Sequence, residues 1–274
     1  MVKAKVYIPT LGRVGLNKQI TLQQFLNHSK HIPTLVCPKD EVKHHKKYHD
    51  RVLGCPKKGI GKTRQWILEK SKADIVIMSD DDMRFQYRPD ITKPKLQEYP
   101  NLNKLLRLIK ECVAAGFIHG GVGDRNGNNR LDGSSPRKGV MEYGGLFVDC
   151  IRVNNFHYLD RLFVLDSGNR FDQLPVMEDF HFTLSMLLDG YPNRVIQNYV
   201  WRQNASGDSG GCSTYRTPEV QAKGAIGLHK AFPDFVTVVD KETKSTSNYW
   251  QGMKTRKDVR VQWLQAARKG GAAK

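Results

Sequence analysis

The sequence predicts an α/β fold, a mostly parallel central sheet flanked by helices, and three observations carry that expectation. Apolar runs of strand length alternate with amphipathic segments of helix length along most of the chain. The opening reads strand, helix, strand at a spacing that suits a parallel crossover. The run Ile75-Val76-Ile77-Met78 passes without a break into Ser79-Asp80-Asp81-Asp82. A short unbroken apolar run of this kind is a strand buried on both faces, and its C-terminal end is where ligands of open α/β sheets collect.

In chain order, Lys5 to Ile8 reads as the first strand, stopped by Pro9-Thr10-Leu11-Gly12-Arg13. A helix follows from Asn17 to His28, with Leu16, Ile20, Leu22, Phe25 and Leu26 supplying its apolar face. Thr34 to Cys37 is a second strand and Arg51 to Leu53 a brief third. Gly54 to Thr63 nearly spells a phosphate-binding P-loop, but Pro56 stands where that loop needs glycine, and proline has no N–H to offer a phosphate. Lys62 to Lys72 reads instead as a helix that leads into the acidic strand.

Beyond that strand, Met83 to Pro100 looks irregular, and Leu102, Leu105, Leu106, Ile109 and Val113 mark an amphipathic helix ending near Gly116. Phe117 to Val122 is a strand. Asp124 to Gly139 has almost no apolar content and reads as a flap whose arginines touch an anion. Glu142 to Asp149 and Leu162 to Leu165 return to strand. Glu178-Asp179 opens a helix that Gly190 ends, Arg194 to Trp201 is the last core strand, and Ala222 to Phe232 is a short helix carrying His229. Asn204 to Thr214, rich in Gly and Ser, reads as flexible. The expected organisation is a nucleotide-binding half over 1–90, an acceptor half over 91–235, and a basic extension over 236–274.

With 274 residues, 39% of them hydrophobic, the chain is long enough for a full core. A net charge of +17 attracts polyanions, nucleic acid first and acidic membrane second. Cys37, Cys55, Cys112, Cys150 and Cys212 are odd in number and contain no Cys-x-x-Cys pair, a pattern of free thiols in a reducing compartment. The N-terminus lacks the apolar core of a signal peptide, and no apolar run reaches membrane-spanning length. These features lead to the expectation of a soluble, cytoplasmic protein.

Three adjacent carboxylates repel one another unless a cation neutralises them or water screens them. A divalent metal satisfies that requirement, and oxygen-only ligands suit Mg²⁺ or Mn²⁺, which keep positions open for water and phosphate. A solvated acidic turn is the alternative. Gly59, Gly61 and Arg64 lie beside the acidic strand, where glycine lets the backbone approach a ligand and arginine takes phosphate oxygens or braces a carboxylate. Glu178 and Asp179, in a first helical turn, also suit the helix dipole without any further role.

Together these pieces resemble the nucleotide-sugar glycosyltransferases of the GT-A fold. Pro9, Thr10 and Arg13 match that family's first-strand loop against the nucleotide. Gly59, Gly61, Thr63, Arg64 and Gln65 match its glycine turn and helix start, although Thr63 and Gln65 depart from the commonest letters. Asp80 and Asp82, with Asp81 between, match the D-x-D motif, Gly144-Gly145 the strand beside the acceptor, Glu178-Asp179 the acidic pair, and His229 the late metal-binding histidine. The Gly59-to-Gln65 segment, the Ser79-to-Asp82 strand end and the run from Gly210 to Thr217 are similar to the TET/JBP-associated glycosyltransferases of phages and viruses.

The resemblance implies a metal-dependent, inverting transfer of sugar from a nucleoside-diphosphate sugar, a UDP-sugar foremost, to 5-hydroxymethylpyrimidine in DNA. It implies Mn²⁺ or Mg²⁺ on Asp80, Asp82 and His229, with Arg64 and Arg216 near the donor. It also implies Asp179 as the base, with Glu178 as the alternative. Arg125, Arg130, Arg137 and Lys138 of the flap, and Lys254, Arg256, Lys257 and Arg260 of the tail, are the expected DNA contacts. Tyr249, Trp250 and Trp263 can stack on bases but more naturally pack. Other readings stay open: a polysaccharide or other non-DNA acceptor, a metal-dependent nuclease, or a DNA-binding module without catalysis.

Overall fold

The computed structural model describes residues 2–90, 95–125, 146–203, 211, 215–243 and 253–273. Its centre is a sheet in the order β3-β2-β1-β4-β8-β6-β9-β5, with β7 also on β9. The strands are β1 (Ala4–Pro9), β2 (Thr34–Pro38), β3 (Val52–Cys55), β4 (Ile75–Ser79), β5 (Arg84–Tyr87), β6 (His119–Asp124), β7 (Phe147–Asp149), β8 (Phe156–Asp160) and β9 (Asn193–Arg202). Strands β3, β2, β1 and β4 are parallel, while β8, β5 and β7 run antiparallel to their neighbours.

The helices needed below are α1 (Ile20–His28), α2 (Val42–His45), α3 (Ile60–Lys70), α4 (Leu102–Ala114), α5 (Arg161–Asp166) and α6 (Glu178–Leu188). All five residues of β4 are buried. Its side chains alternate between two cores: Ile75 and Ile77 join Phe25, Phe85, Leu105 and Ile109, while Val76 and Met78 join Ile67, Leu68, Phe171 and Phe182. Packing on both sides fixes the strand's register and aims its acidic C-terminal end at one place. Cys37, Cys55, Cys112 and Cys150 are buried free thiols, and Cys212 lies outside the described residues.

Three expectations need correction. Leu162 to Leu165 is not strand but part of α5. Asp160 caps that helix by accepting a hydrogen bond from the Phe163 N–H at 3.2 Å, and only Val164 of the helix is buried. The strand lies just before it, as β8, where His157 is buried between apolar neighbours and disguises the apolar run. Met83 to Pro100 is not wholly irregular, since Arg84–Tyr87 pairs antiparallel with β9. The helix expected from Lys62 begins earlier, at Ile60.

After α7 (Pro218–Ala231), residues Val236–Glu242 and Thr255–Val261 form the antiparallel hairpin β10–β11, and α8 (Trp263–Gly270) follows. Met177 and Leu184 of the α6 region pack with Ala225, Leu228, Val236 and Ala266, and Trp263 lies against them. A Cβ on Gly270 would stand 2.2 Å from the Leu187 carbonyl oxygen, so only glycine lets α8 close onto the end of α6. Trp263 therefore packs, while Tyr249 and Trp250 lie outside the described residues. Among the described residues no helix is long and apolar enough to cross a membrane.

Candidate active site

The turn after β4 is held from behind by α1. The Thr21 hydroxyl donates to the Asp80 carbonyl at 2.5 Å and accepts from the Met83 N–H at 2.9 Å, while the Thr21 N–H donates to the Asp81 carbonyl at 3.0 Å. These bonds fix the backbone from which three carboxylates diverge, Asp81 and Asp82 towards Arg13 and Asp80 towards Arg64. Asp81 is buried. It accepts from the Thr10 hydroxyl at 2.6 Å and from Arg13, and Gln19 steadies that loop by donating to Thr10 Oγ1 at 2.8 Å and to the Arg13 carbonyl at 2.7 Å. Asp82 pairs with the same Arg13 nitrogen at 2.9 Å and accepts from Gln203 Nε2 at 2.8 Å.

Asp80 turns the other way and accepts from Arg64 Nη2 at 2.8 Å. Arg64 is buried, and its Nη1 donates to Glu178 Oε1 at 2.6 Å. One guanidinium thus joins the tip of β4 to the first turn of α6. Burial, working against Arg64 and helped by the Asp82 charge, raises the Asp80 carboxyl above its ordinary range. Burial pushes Asp81 up to about 7 despite Arg13. Glu178 is likewise pushed up to about 7 by burial, with Arg64 opposing and the neighbouring Asp179 adding repulsion. Asp179 remains at the cavity wall, with Arg152 Nη2 3.5 Å from its Oδ2. The residue before this pair, Met177, has φ 62°, a left-handed conformation that costs a non-glycine side chain about 1 kcal/mol or more.

Asp80, Asp81, Asp82, Glu178 and Asp179 share one cavity of about 1160 Å³ with Pro9, Thr10, Arg13, Gly59, Gly61, Arg64 and Arg216. The N-terminus of α3 faces it, and this is a natural place for a phosphate. Gly59 has φ 95° and open space where a side chain would be. Gly61 has a different reason for being glycine: a Cβ there would lie 2.5 Å from the Phe171 carbonyl and 3.1 Å from Glu178 Cβ. Arg216 holds Gln221 through Nε at 3.0 Å.

His229 does not line this cavity; its Nδ1 bonds the Val236 carbonyl at 2.6 Å, at the far end of α7. Among the described residues no group of three or more His, Cys, Asp or Glu is arranged to hold a metal alone. The donor set nevertheless fits Mg²⁺ or Mn²⁺, which commonly take one or two carboxylates and complete their shell with water and phosphate. Asp80 and Asp82, 28% and 22% exposed, are the two more open to the cavity, whereas Asp81 is buried against Thr10 and Arg13.

Arg125 is half-buried at the end of β6. Lys254, Arg256, Lys257 and Arg260 lie on or beside the hairpin, where Lys257 pairs with Asp240 at 2.8 Å and Arg256 with Asp258 at 3.3 Å. None of these five lines the cavity. Arg130, Arg137, Lys138, Gly144 and Gly145 lie outside the described residues. Thr21, Gln19, Gln203, Asn155 and Arg152 were not singled out by sequence, because their roles depend on partners far away in the chain. Gln19 and Thr21 stand among other polar residues, Asn17, Lys18, Gln23 and Gln24, so the local sequence offered no signal.

Sheet order, the acidic strand end and the opposed acidic helix start together define a GT-A glycosyltransferase fold. Solved structures agree at the level of fold. The chain matches the 1–349 fragment of S. aureus TarS, solved with UDP-GlcNAc, at 17% identity and a TM-score of 0.51, covering 83% of this chain and 67% of that one. It matches the mannosyltransferase PcManGT of Pyrobaculum calidifontis, solved with GDP-Man and Mn²⁺, at 15% identity and a TM-score of 0.50, covering 85% and 64%. The sequence model of the TET-associated glycosyltransferases matches residues 4–211, and the chain belongs to that family. No curated protein matches it in sequence.

Proposed function

We propose that this enzyme moves a sugar from a nucleoside-diphosphate sugar, a UDP-sugar foremost, to the hydroxyl of 5-hydroxymethylpyrimidine in DNA, with inversion at the anomeric carbon. The observation that carries the reading is the opposition of Asp80 and Asp82 to Asp179 within one cavity, whose two sides Arg64 joins through Asp80 and Glu178. The nucleotide-sugar complexes of the two structural neighbours, one of them with Mn²⁺, support the donor class. The family's name and the net charge of +17 support the DNA acceptor.

The reaction joins the acceptor oxygen to the anomeric carbon as the bond from that carbon to the diphosphate oxygen breaks. The diphosphate leaves with the electron pair, and the hydroxyl proton passes to the Asp179 carboxylate. Glu178 is the weaker choice of base because its oxygen is already engaged by Arg64 at 2.6 Å. Asp80 and Asp82 would hold the divalent cation, which when bound offsets the charge developing on the diphosphate. The α3 N-terminus, Arg64 and Arg216 add positive potential on the donor side. DNA phosphates are assigned to Arg125, Lys254, Arg256, Lys257 and Arg260, and to Arg130, Arg137 and Lys138.

The test is incubation with Mn²⁺, UDP-glucose, UDP-GlcNAc or GDP-mannose, and hydroxymethylated DNA, followed by mass spectrometry of the released nucleosides. A hexose or N-acetylhexosamine increment on hydroxymethylpyrimidine is expected. Intact DNA without added mass would remove the DNA acceptor, and fragmented DNA would favour a nuclease.

A further inference from the structure

The donor side of the cavity is built from strand ends and the α3 N-terminus, but the wall around Asp179 has a different chemistry. There the Arg152 guanidinium lies over the Phe180 ring, with its central carbon 4.1 Å from the ring centroid. Phe180 is itself backed by Trp263, with ring centroids 5.5 Å apart. Arg152 and Phe180 both line the cavity, and 44% of the Arg152 side chain is exposed. Phe180 covers one face of the guanidinium, which leaves the other to the cavity.

The ion pair with Asp179 does not account for this placement. It is a single contact at 3.5 Å, at the limit of hydrogen bonding and without the two-pronged geometry by which arginine grips a carboxylate. Arg64, by contrast, makes contacts of 2.6 and 2.8 Å nearby. Arg152 is seated on an aromatic ring rather than aimed by a carboxylate. A flat cation of this kind is a surface on which a planar heterocycle stacks.

We propose that Arg152, supported by Phe180, is the stacking platform for the acceptor base. An unpaired pyrimidine lies on the open face of the guanidinium, and its exocyclic hydroxymethyl group is directed at Asp179. This inference rests on the DNA-acceptor reading above and specifies how that acceptor is held. It requires the nucleotide to be out of the helical stack, since a paired base presents no free face.

The full chain is compared with Arg152→Lys, Arg152→Ala and Phe180→Leu. The first readout is fluorescence anisotropy of a labelled single-stranded oligonucleotide carrying one 5-hydroxymethylcytosine, with Mn²⁺ and UDP present. The second is KM for acceptor and for donor. Because lysine keeps the charge and loses the plane, Arg152→Lys should weaken acceptor binding about as much as Arg152→Ala, roughly 10- to 100-fold. Phe180→Leu should weaken it less, and donor KM should stay unchanged throughout.

Wild-type affinity in Arg152→Lys, with sugar transfer to DNA intact, would overturn the platform and leave the acceptor reading standing. Wild-type binding that is lost in both arginine variants, with no sugar transfer by any protein, would keep the platform and overturn the proposed reaction. Failure of the wild type to bind the oligonucleotide at all would overturn both.

Discussion

Replacing Arg64 with methionine removes the one guanidinium that spans the tip of β4 and the start of α6. Arg64 is 3% exposed and Glu178 6%. Removing one partner from a buried ion pair costs about 3–5 kcal/mol, because the other charge stays buried without compensation. Asp80 keeps 28% of its side chain exposed, so its share is discounted, and methionine preserves much of the stem's packing. An overall loss of about 3 kcal/mol results, equivalent to a Tm lower by ~6–12 °C or a urea midpoint lower by ~1 M.

The deficit should depend on pH. Glu178 is raised in the folded protein to about 7 from an ordinary 4.5, so its stabilising contribution is complete below about 4.5 and is lost as pH rises through 7. Without Arg64 the folded-state value rises further, so Arg64→Met should lose more between pH 5 and pH 8 than the wild type. Adding Glu178→Gln should recover part of the loss. Urea titrations of the wild type, Arg64→Met, Glu178→Gln and the double variant at both pH values measure all three effects. A deficit at pH 8 under about 0.5 kcal/mol, or one that does not change with pH, would refute the buried-pair argument.

Asp179→Asn should cut kcat by roughly 100-fold or more while isothermal titration shows donor affinity nearly unchanged; an unaltered kcat removes Asp179 as the base. Asp82→Ala should abolish the metal-dependent part of donor binding, and full Mn²⁺-dependent affinity in that variant would dismiss the metal assignment. Gly61→Ala forces a methyl group against the Phe171 carbonyl and Glu178, so chemical denaturation should show a loss of about 1–3 kcal/mol; wild-type stability would show that the α3–α6 approach is looser than described. Affinity for DNA should fall steeply between 50 and 200 mM salt on filter binding, and a flat response counts against phosphate contacts by the hairpin and Arg125.

The strand ending at Asp80-Asp81-Asp82 was legible because four apolar residues in a row leave few alternatives to a doubly buried strand. The Glu178–Asp179 helix was legible from its apolar content and its terminal glycine. What joins them was only half legible. Arg64 could be read as gripping phosphate or bracing a carboxylate, and the contact with Glu178 across 114 positions decides for two carboxylates. The repulsion among three carboxylates, which the sequence assigns to a divalent metal, is met in part by Arg13 and Arg64, and composition could not show that. Gly61 reads in the sequence as a place for a ligand to approach; it lines the cavity, and it also admits the Phe171 carbonyl and Glu178, a second reason for glycine that local sequence does not contain. Local pattern does not contain sheet order, so neither β8, hidden by a buried histidine, nor the Arg152–Phe180 stack could be foreseen.

The hairpin and last helix bear on how this protein could diversify. One side of α6 is covered by residues that come after position 235, through Val236, Ala266 and Trp263. Cutting the chain there would strip the backing from the helix that carries Asp179, so the basic tail is not a separable cassette. Variation in this basic segment is left to its outer surface, one side chain at a time, while its inner surface stays committed to α6.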